Sequence, residues 1–210
     1  LIGKEQIEKA ISAILMPEFV STTQRRPRVY MGGIPFIVEA AIAYGGKAGK
    51  EREEFRGGEI LRFANKVPLL FDSANCAITE AVKSIDWSRY GIKNFDEEPV
   101  SVLVNISSVY VPYSGVGKQA VAEEEEIIDE IKLAVMECAR DLQRYLNGVK
   151  RRSVQESKYK TIMRYVNQLS DDLSAITRVS KDEIKEKLIS ILKEHYSGLF
   201  EEETNETKDN

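Results

Sequence analysis

Residues 100–111 read VSVLVNISSVYV, a run that is apolar at nearly every position, which marks a strand buried on both faces. Such a strand belongs at the centre of a sheet, with layers on either side, and its surroundings supply both. Just upstream, residues 74–85 (ANCAITEAVKSI) switch to a helical period, with Ala77, Ile78, Ala81, Val82 and Ile85 along one side. Further back, residues 19–23 and 35–44 (PFIVEAAIAY) are rich in strand formers, with Gly32-Gly33 and Gly45-Gly46 as turn signals around the second. Residues 47–58 (KAGKEREEFRGG) are charged and glycine-bounded, so they read as a solvated hairpin loop leading to a strand at 59–67 (EILRFANKV). These early strands are expected to form one antiparallel meander. Residues 5–15 place Ile7, Ala10, Ile11, Ile14 and Leu15 on one face of a short helix that Pro17 stops. A hairpin followed by strand, helix, strand and helix predicts an α+β sandwich with at least one crossover, right-handed by the general rule.

Downstream of the central strand, PYSGVG (112–117) leads to Lys118 and then to a helical pattern of unusual length. From Glu123, Ile127, Ile131, Val135, Cys138, Leu142 and Tyr145 recur at spacings of three and four, and only Gly148 interrupts the pattern before Tyr159. Glu123 to Glu126 fall in its expected first turn, where the helix dipole favours each exposed negative charge by about 0.3–1 kcal/mol. Beyond Val149 the sequence KRRSVQESKYK is too polar to bury on all sides, so the helix is expected to project as a stalk. Two more helices are predicted, at 159–176 and at 181–196, the second opened by a Ser180/Glu183 capping box. Their apolar stripes either pack on each other or face another protein.

The 210 residues carry 30 Lys+Arg against 34 Asp+Glu, and the last ten, EEETNETKDN, hold the whole excess of four acidic charges. That acidic tail, 201–210, is expected to be disordered. The rest of the chain is balanced, so overall charge supplies no pull toward nucleic acid and any phosphate contact must be a local patch. Two cysteines, Cys76 and Cys138, make no disulfide framework, and a reduced cytosolic protein is the default. One histidine, His195, rules out a His-rich metal site, and no GxSxG or Cys-His arrangement exists. No run is long and apolar enough to span a membrane. The chain opens on Leu1 with no signal peptide, which reads as a piece of a longer protein.

Three constellations stand out. The segment SGVGKQ (114–119) follows a strand and carries Lys118, yet Pro112 and Gln119 occupy positions where a Walker loop needs Gly and Ser or Thr. Lys118 is therefore either a solvated loop lysine or a single phosphate contact. The sole tryptophan, Trp87, sits beside Arg89 and Tyr90 and is either a core anchor or part of a nucleic-acid contact. Basic density at Arg25, Arg26 and Arg28, and again at Lys150, Arg151 and Arg152, marks the best available phosphate sites. On the residues alone this is a non-catalytic α+β module with a long helical arm.

The stretches RPRVYMGGIPFIVEAAIAYGG (26–46), EILRFANKVPLLFD (59–72), IDWSRYGI (85–92) and VPYSGVGKQAVAEEEEI (111–127) resemble, in order, the B subunit of the DNA topoisomerase VI family, the archaeal type IIB enzymes. The likeness covers nearly the whole chain and implies a division into four parts. Residues 1–17 would be a linker helix from upstream domains, 18–147 the transducer domain, 148–200 the stalk and C-terminal helices, and 201–210 the tail. The fold it implies is a sandwich like ribosomal S5 domain 2, with a right-handed βαβ crossover. It further implies an upstream GHKL ATPase that holds ATP and Mg2+, an A2B2 heterotetramer with the DNA-cleaving A subunit of topoisomerase VI and a second B subunit, and double-stranded DNA as the substrate. In that family a transducer lysine touches the γ-phosphate, and its counterpart here is Lys118. The W-K-x-Y element taken to contact DNA corresponds to Trp87, Arg89 and Tyr90, with Ser88 in place of its lysine. A cytoplasmic, nucleoid-associated protein follows from the resemblance. The rival reading from a different class is a free-standing interaction module that uses neither nucleotide nor DNA.

Overall fold

Helix α1 spans Lys4–Leu15 and ends at Met16 in the left-handed conformation, one residue before the proline that the sequence marks as its stop. Strands β1 (Phe19–Gln24), β2 (Arg28–Tyr30) and β3 (Ile34–Tyr44) come next, then a two-residue pair, β4 (Lys50–Glu51) with β5 (Arg56–Gly57). They are succeeded by β6 (Glu59–Ala64), β7 (Val67–Pro68), helix α2 (Ala77–Lys83), two 3₁₀ turns at Trp87–Tyr90 and Phe95–Glu97, and β8 (Val100–Ser108). Helices α3 (Glu125–Thr177) and α4 (Lys181–His195) complete the order. This computed structural model describes residues 1–195 apart from 53, 72, 73 and 116, so the tail 201–210 lies outside the described residues.

The main sheet runs β1-β3-β8-β6-β7, with β2 paired to β3 beyond the end of β1. The apolar strand β8 is central: it lies antiparallel to β3, with Phe36 opposite Ser108 and Tyr44 opposite Val100, and parallel to β6. This order corrects the expected meander. Strand β6 does not pair with β3, because β8 arrives later in the chain and takes the place between them. A strand apolar on both faces gains most where both faces are covered, and α2 then serves as the crossover from β6 to its parallel neighbour. Strand β2, absent from the sequence reading, is the continuation of the β1 edge after Arg25, Arg26 and Pro27 interrupt it. Proline has no N–H to give to β3 at that point. The 47–58 loop is less solvated than its charges suggest, since Ala48, Gly49 and Gly57 are buried.

Side-chain parity sorts the sheet into two faces. Val38, Ala40 and Ile42 of β3 and Val102, Val104 and Ile106 of β8 join α2 and the Ile127, Ile131, Val135, Cys138 and Leu142 stripe of α3 in the larger core. Ala41, Ala43 and Leu103 point the other way and pack under Ile7 and Ile11 of α1. Fully burying an Ile or Val of this kind is worth about 1.5–3 kcal/mol. The stripe read from sequence thus faces the sheet, and its four-three repeat sets the length of α3 that docks there.

The chain divides into two units, residues 1–147 and 148–210. Helix α3 is a single 53-residue helix, which corrects the expected separate helix at 159–176. Gly148 costs about 1 kcal/mol against Ala in a helix, too little to break one flanked by good helix formers. Within the second unit, the later part of α3 and α4 form a helical hairpin across the turn at 178–180. Val166 and Ser170 are buried, and Ile162, Leu173, Ile184 and Leu188 are half-buried. Ser180 Oγ accepts the Glu183 N–H at 3.2 Å as the capping pattern predicts, while the Glu183 carboxylate turns instead to Lys187 at 2.7 Å. Lys181 and Asp171 add an ion pair at 2.6 Å across that turn.

Candidate functional site

Strand β8 ends where Ser108 Oγ lies within hydrogen-bond distance of the carbonyls of Pro35 and Tyr110, its single hydrogen shared between them, and the chain leaves the sheet there. The chain then forms a closed loop rather than a helix start. Tyr113 and Val121 form a β-bridge, the Ser114 N–H donates to Ala120 O at 3.0 Å and the Ala122 N–H to Pro112 O at 2.7 Å. The Ala77 N–H donates to Val121 O at 2.9 Å and fastens the loop to the start of α2. Lys118 lies at the open end of this loop, exposed, with φ +51 and its N–H on Gly115 O at 3.2 Å. It therefore does not sit just before a helix, as the sequence suggested, since α3 opens only at Glu125. Glu124 takes the cap position instead, its carbonyl accepting the N–H groups of Ile127 and Ile128. A left-handed conformation at a non-glycine residue is uncommon and is held here by the hydrogen bonds on either side. It presents a single ammonium on a loop anchored to the central strand.

Trp87 is 6% exposed. Its indole N–H donates to Val82 O at 3.0 Å, and its ring lies 5.0 Å from that of Phe95. Of the two readings left open for it, the structure selects the core anchor, since the ring is not offered to solvent. Arg89 is exposed and Tyr90 half-buried in the same 3₁₀ turn, so Trp87 positions these two by filling the space beneath them. The Arg89 carbonyl accepts from Gln143 Nε2 of α3 at 2.6 Å. Gly91, at φ +91, closes the turn against Leu146. Lys150, Arg151 and Arg152 are all exposed and belong to the second unit.

The basic group at 25–28 has a different use. Arg25 Nε is 2.7 Å from Glu130 and its NH1 3.0 Å from Glu137, while Arg28 reaches Glu130 at 3.4 Å. Two neighbours on β1 continue the pattern: Thr23 Oγ1 donates to Glu137 at 2.9 Å and Ser21 Oγ to Asp141 at 2.8 Å. Every second residue of one strand edge thus grips an acidic residue of α3, and the guanidinium proton of Arg25 is held more tightly by Glu130 and then Glu137 despite partial burial. Arg25 is committed to two carboxylates more than a hundred residues later in the chain, a use the sequence did not reveal, whereas Arg26 and Arg28 are exposed.

Two further side chains escaped the sequence reading. Glu39 on β3 and Asn105 on β8 are fully buried and sit directly opposite each other, on the α1 face of the sheet. Glu39 is the lone charged interruption of its apolar run, which was the available signal, while Asn105 is one polar residue among the serines of its strand. Among the described residues no group of three or more His, Cys, Asp or Glu is placed to hold a metal ion, and no helix is long and apolar enough to cross a membrane.

A family model described as "Topoisomerase VI B subunit, transducer" matches residues 1–160. The chain belongs to the topoisomerase VI B transducer family. It is 46% identical over 200 residues to the B subunit of type 2 DNA topoisomerase 6 from Thermococcus sibiricus, covering 95% of this chain and 34% of that protein. The Pyrococcus furiosus protein of the same description is 49% identical over 191 residues, covering 91% and 32%. That of Methanothermobacter thermautotrophicus is 45% identical over 190 residues, covering 90% and 36%. The chain therefore spans about a third of the length of the curated relatives it matches. The family match runs through β8, the Lys118 loop and the polar seam between β1 and α3, and reaches into the second unit.

Proposed function

We propose that this chain is the transducer part of the ATP-binding subunit of a type IIB DNA topoisomerase. It relays ATP binding and hydrolysis, performed by an upstream GHKL domain, to the DNA-cleaving A subunit. The observation that carries this reading is a family match that includes an exposed Lys118 on a loop continuous with the central strand. Strand β8 leads to that loop, and α3, which comes after it, is fastened to the sheet edge by Arg25, Thr23 and Ser21. A contact at Lys118 thus has a rigid route into the long helix. One ammonium fits a reporting contact with a γ-phosphate and no more, so base, ribose and Mg2+ would be held outside this chain.

On the same reading the S5-like sandwich with a right-handed β6-α2-β8 crossover occupies 18–147, after the linker at 1–17. The stalk and C-terminal helices at 148–200 serve the contact with the A subunit, and the holoenzyme is an A2B2 tetramer in the cytoplasm, associated with the nucleoid. Arg89 and Tyr90, and separately Lys150, Arg151 and Arg152, would meet the DNA backbone, with Trp87 as their support. The test is Lys118→Ala in the full-length B subunit, in complex with the A subunit. The lost charge-assisted contact is worth about 1.5–3 kcal/mol, so ATP-dependent relaxation of supercoiled DNA should slow by about tenfold or more while the melting temperature is unchanged. Equal relaxation rates at equal stability would return Lys118 to a solvated loop lysine.

A further inference from the structure

We propose that Glu39 is a positioning residue that locks the entry of α1 to the central strand, so that the linker helix and the strand leading to Lys118 move as one body. The inference rests on the function proposed above and adds to it a second attachment point. Helix α1 has no side chain of its own capping its start: Gly3 at its N-cap makes no side-chain bond. Glu39 instead holds the two residues that lead into it. Its Oε2 accepts the Ile2 N–H at 2.9 Å and its Oε1 the Gly3 N–H at 2.7 Å. Oε2 also accepts from Asn105 Nδ2 at 2.7 Å.

Three donors converge on one fully buried carboxyl group. A buried carboxylate is costly unless fully hydrogen-bonded, and here that requirement is met only when α1 is seated. Asn105 passes the connection on. Its Oδ1 accepts the Lys66 N–H at 3.1 Å in the β6–β7 turn, and its amide also donates to Ser107 Oγ at 3.1 Å, one residue before β8 ends and the chain turns toward Lys118. Glu39, Asn105 and Ser107 thus form a hydrogen-bonded path from the start of α1 to the end of β8. Apolar packing of Ile7 and Ile11 holds α1 on the sheet, and at its far end Leu15 O accepts the Lys47 N–H at 2.8 Å. The directional bonds at Glu39 fix its position along the strand.

The experiment compares the full-length B subunit, in complex with the A subunit, in three forms: wild type, Glu39→Gln, and the swapped pair Glu39→Gln/Asn105→Asp. In the single variant an amide NH2 replaces Oε2 and faces two donors. In the swap, the new carboxylate at position 105 accepts from the new amide at position 39 while its second oxygen keeps the Lys66 N–H; the carbonyl at position 39 keeps the Gly3 N–H, and the Ile2 N–H alone loses its acceptor. Strand passages per ATP hydrolysed should fall by about tenfold in Glu39→Gln, the effect of losing one charge-assisted hydrogen bond, with KM for ATP unchanged, and the swap should recover part of that ratio. A purely structural role would instead lower passage and ATP turnover together with the melting temperature, and would overturn the proposal. So would a wild-type ratio in Glu39→Gln. Amide exchange on the 210-residue chain decides the lock independently: the Ile2 and Gly3 amides should exchange faster in Glu39→Gln, and unchanged protection would refute it. A wild-type holoenzyme that fails to relax DNA with ATP would instead refute the proposed function.

Discussion

Replacing Arg25 with Met should destabilise the first unit far more than loss of an ordinary surface charge. The guanidinium bridges Glu130, whose side chain is 6% exposed, and Glu137, which is 43% exposed, at 2.7 and 3.0 Å. Removing one partner of a buried pair costs about 3–5 kcal/mol because the other charge stays buried and unpaired. Two features reduce that figure. Arg25 is itself 25% exposed, and Arg28 remains 3.4 Å from Glu130. We expect about 2–3 kcal/mol, against about 0–1 kcal/mol for an exposed pair. Trp87, the single tryptophan, lies in the core of the same unit, so its fluorescence in urea reports that unit's unfolding. With a slope of about 2 kcal/mol per molar urea, the midpoint should drop by about 1–1.5 M. Adding Glu130→Gln to Arg25→Met should recover part of the loss, since the stranded charge is then gone. A drop below about 0.5 kcal/mol would show that the seam between β1 and α3 contributes no more than an exposed pair.

Cys76 and Cys138 are buried, so neither should react with an aromatic disulfide reagent at about pH 8, near the ordinary thiol pKa, until the chain is unfolded in urea; rapid native-state reaction of either would contradict the packing. Burial pushes the Cys138 thiol from 9.0 up to about 12, and burial together with the Glu98 charge raises the Tyr44 phenol from 10.0 to about 12. Both raised values favour the protonated fold, so their contribution is complete below about pH 9 and is lost as pH rises toward about 12; a urea midpoint equal at about pH 8 and about pH 11 would refute this. Gly46→Ala should cost at least about 2 kcal/mol, because Gly46 sits at φ +58 and an added Cβ would lie 2.0 Å from Met16 O. Gly115→Ala meets nothing within 4 Å and should stay within about 0.5 kcal/mol. Urea midpoints decide both, and equal effects would refute the steric reasoning.

The elements with a single strong signal were legible in the sequence. The doubly apolar run became the central strand, the 35–44 run its antiparallel neighbour, and the 5–15 periodicity α1. Neighbour relations were not legible, because periodicity reports which face of a strand is buried and says nothing of what lies beside it. The meander therefore gave way to β8 inserted between β3 and β6. The new apolar stripe from Tyr159 suggested a separate helix after the stalk, whereas the stalk runs on without a break to Thr177. At the candidate site, Lys118 was singled out because a strand, glycines and a lysine occur in order. Its left-handed loop was invisible, since it depends on the Tyr113–Val121 bridge. The roles of Arg25 and Glu39 depended on partners distant in sequence or on backbone N–H groups, which no side-chain pattern reveals.

The placement of β8 bears on how the molecule is made. It is the last strand to be synthesised and the middle one in the sheet. At about 5–20 residues per second, β3 and β6 leave the ribosome seconds before the strand that will join them. During that interval each carries a row of unpaired amides and carbonyls, the kind of edge that recruits chaperones or other nascent chains. Closure then comes in one late, long-range step. Because β8 runs directly into the loop at Lys118, that loop acquires its anchored form only after the sheet has closed. A chain whose sheet has not closed would thus lack the anchored loop at Lys118.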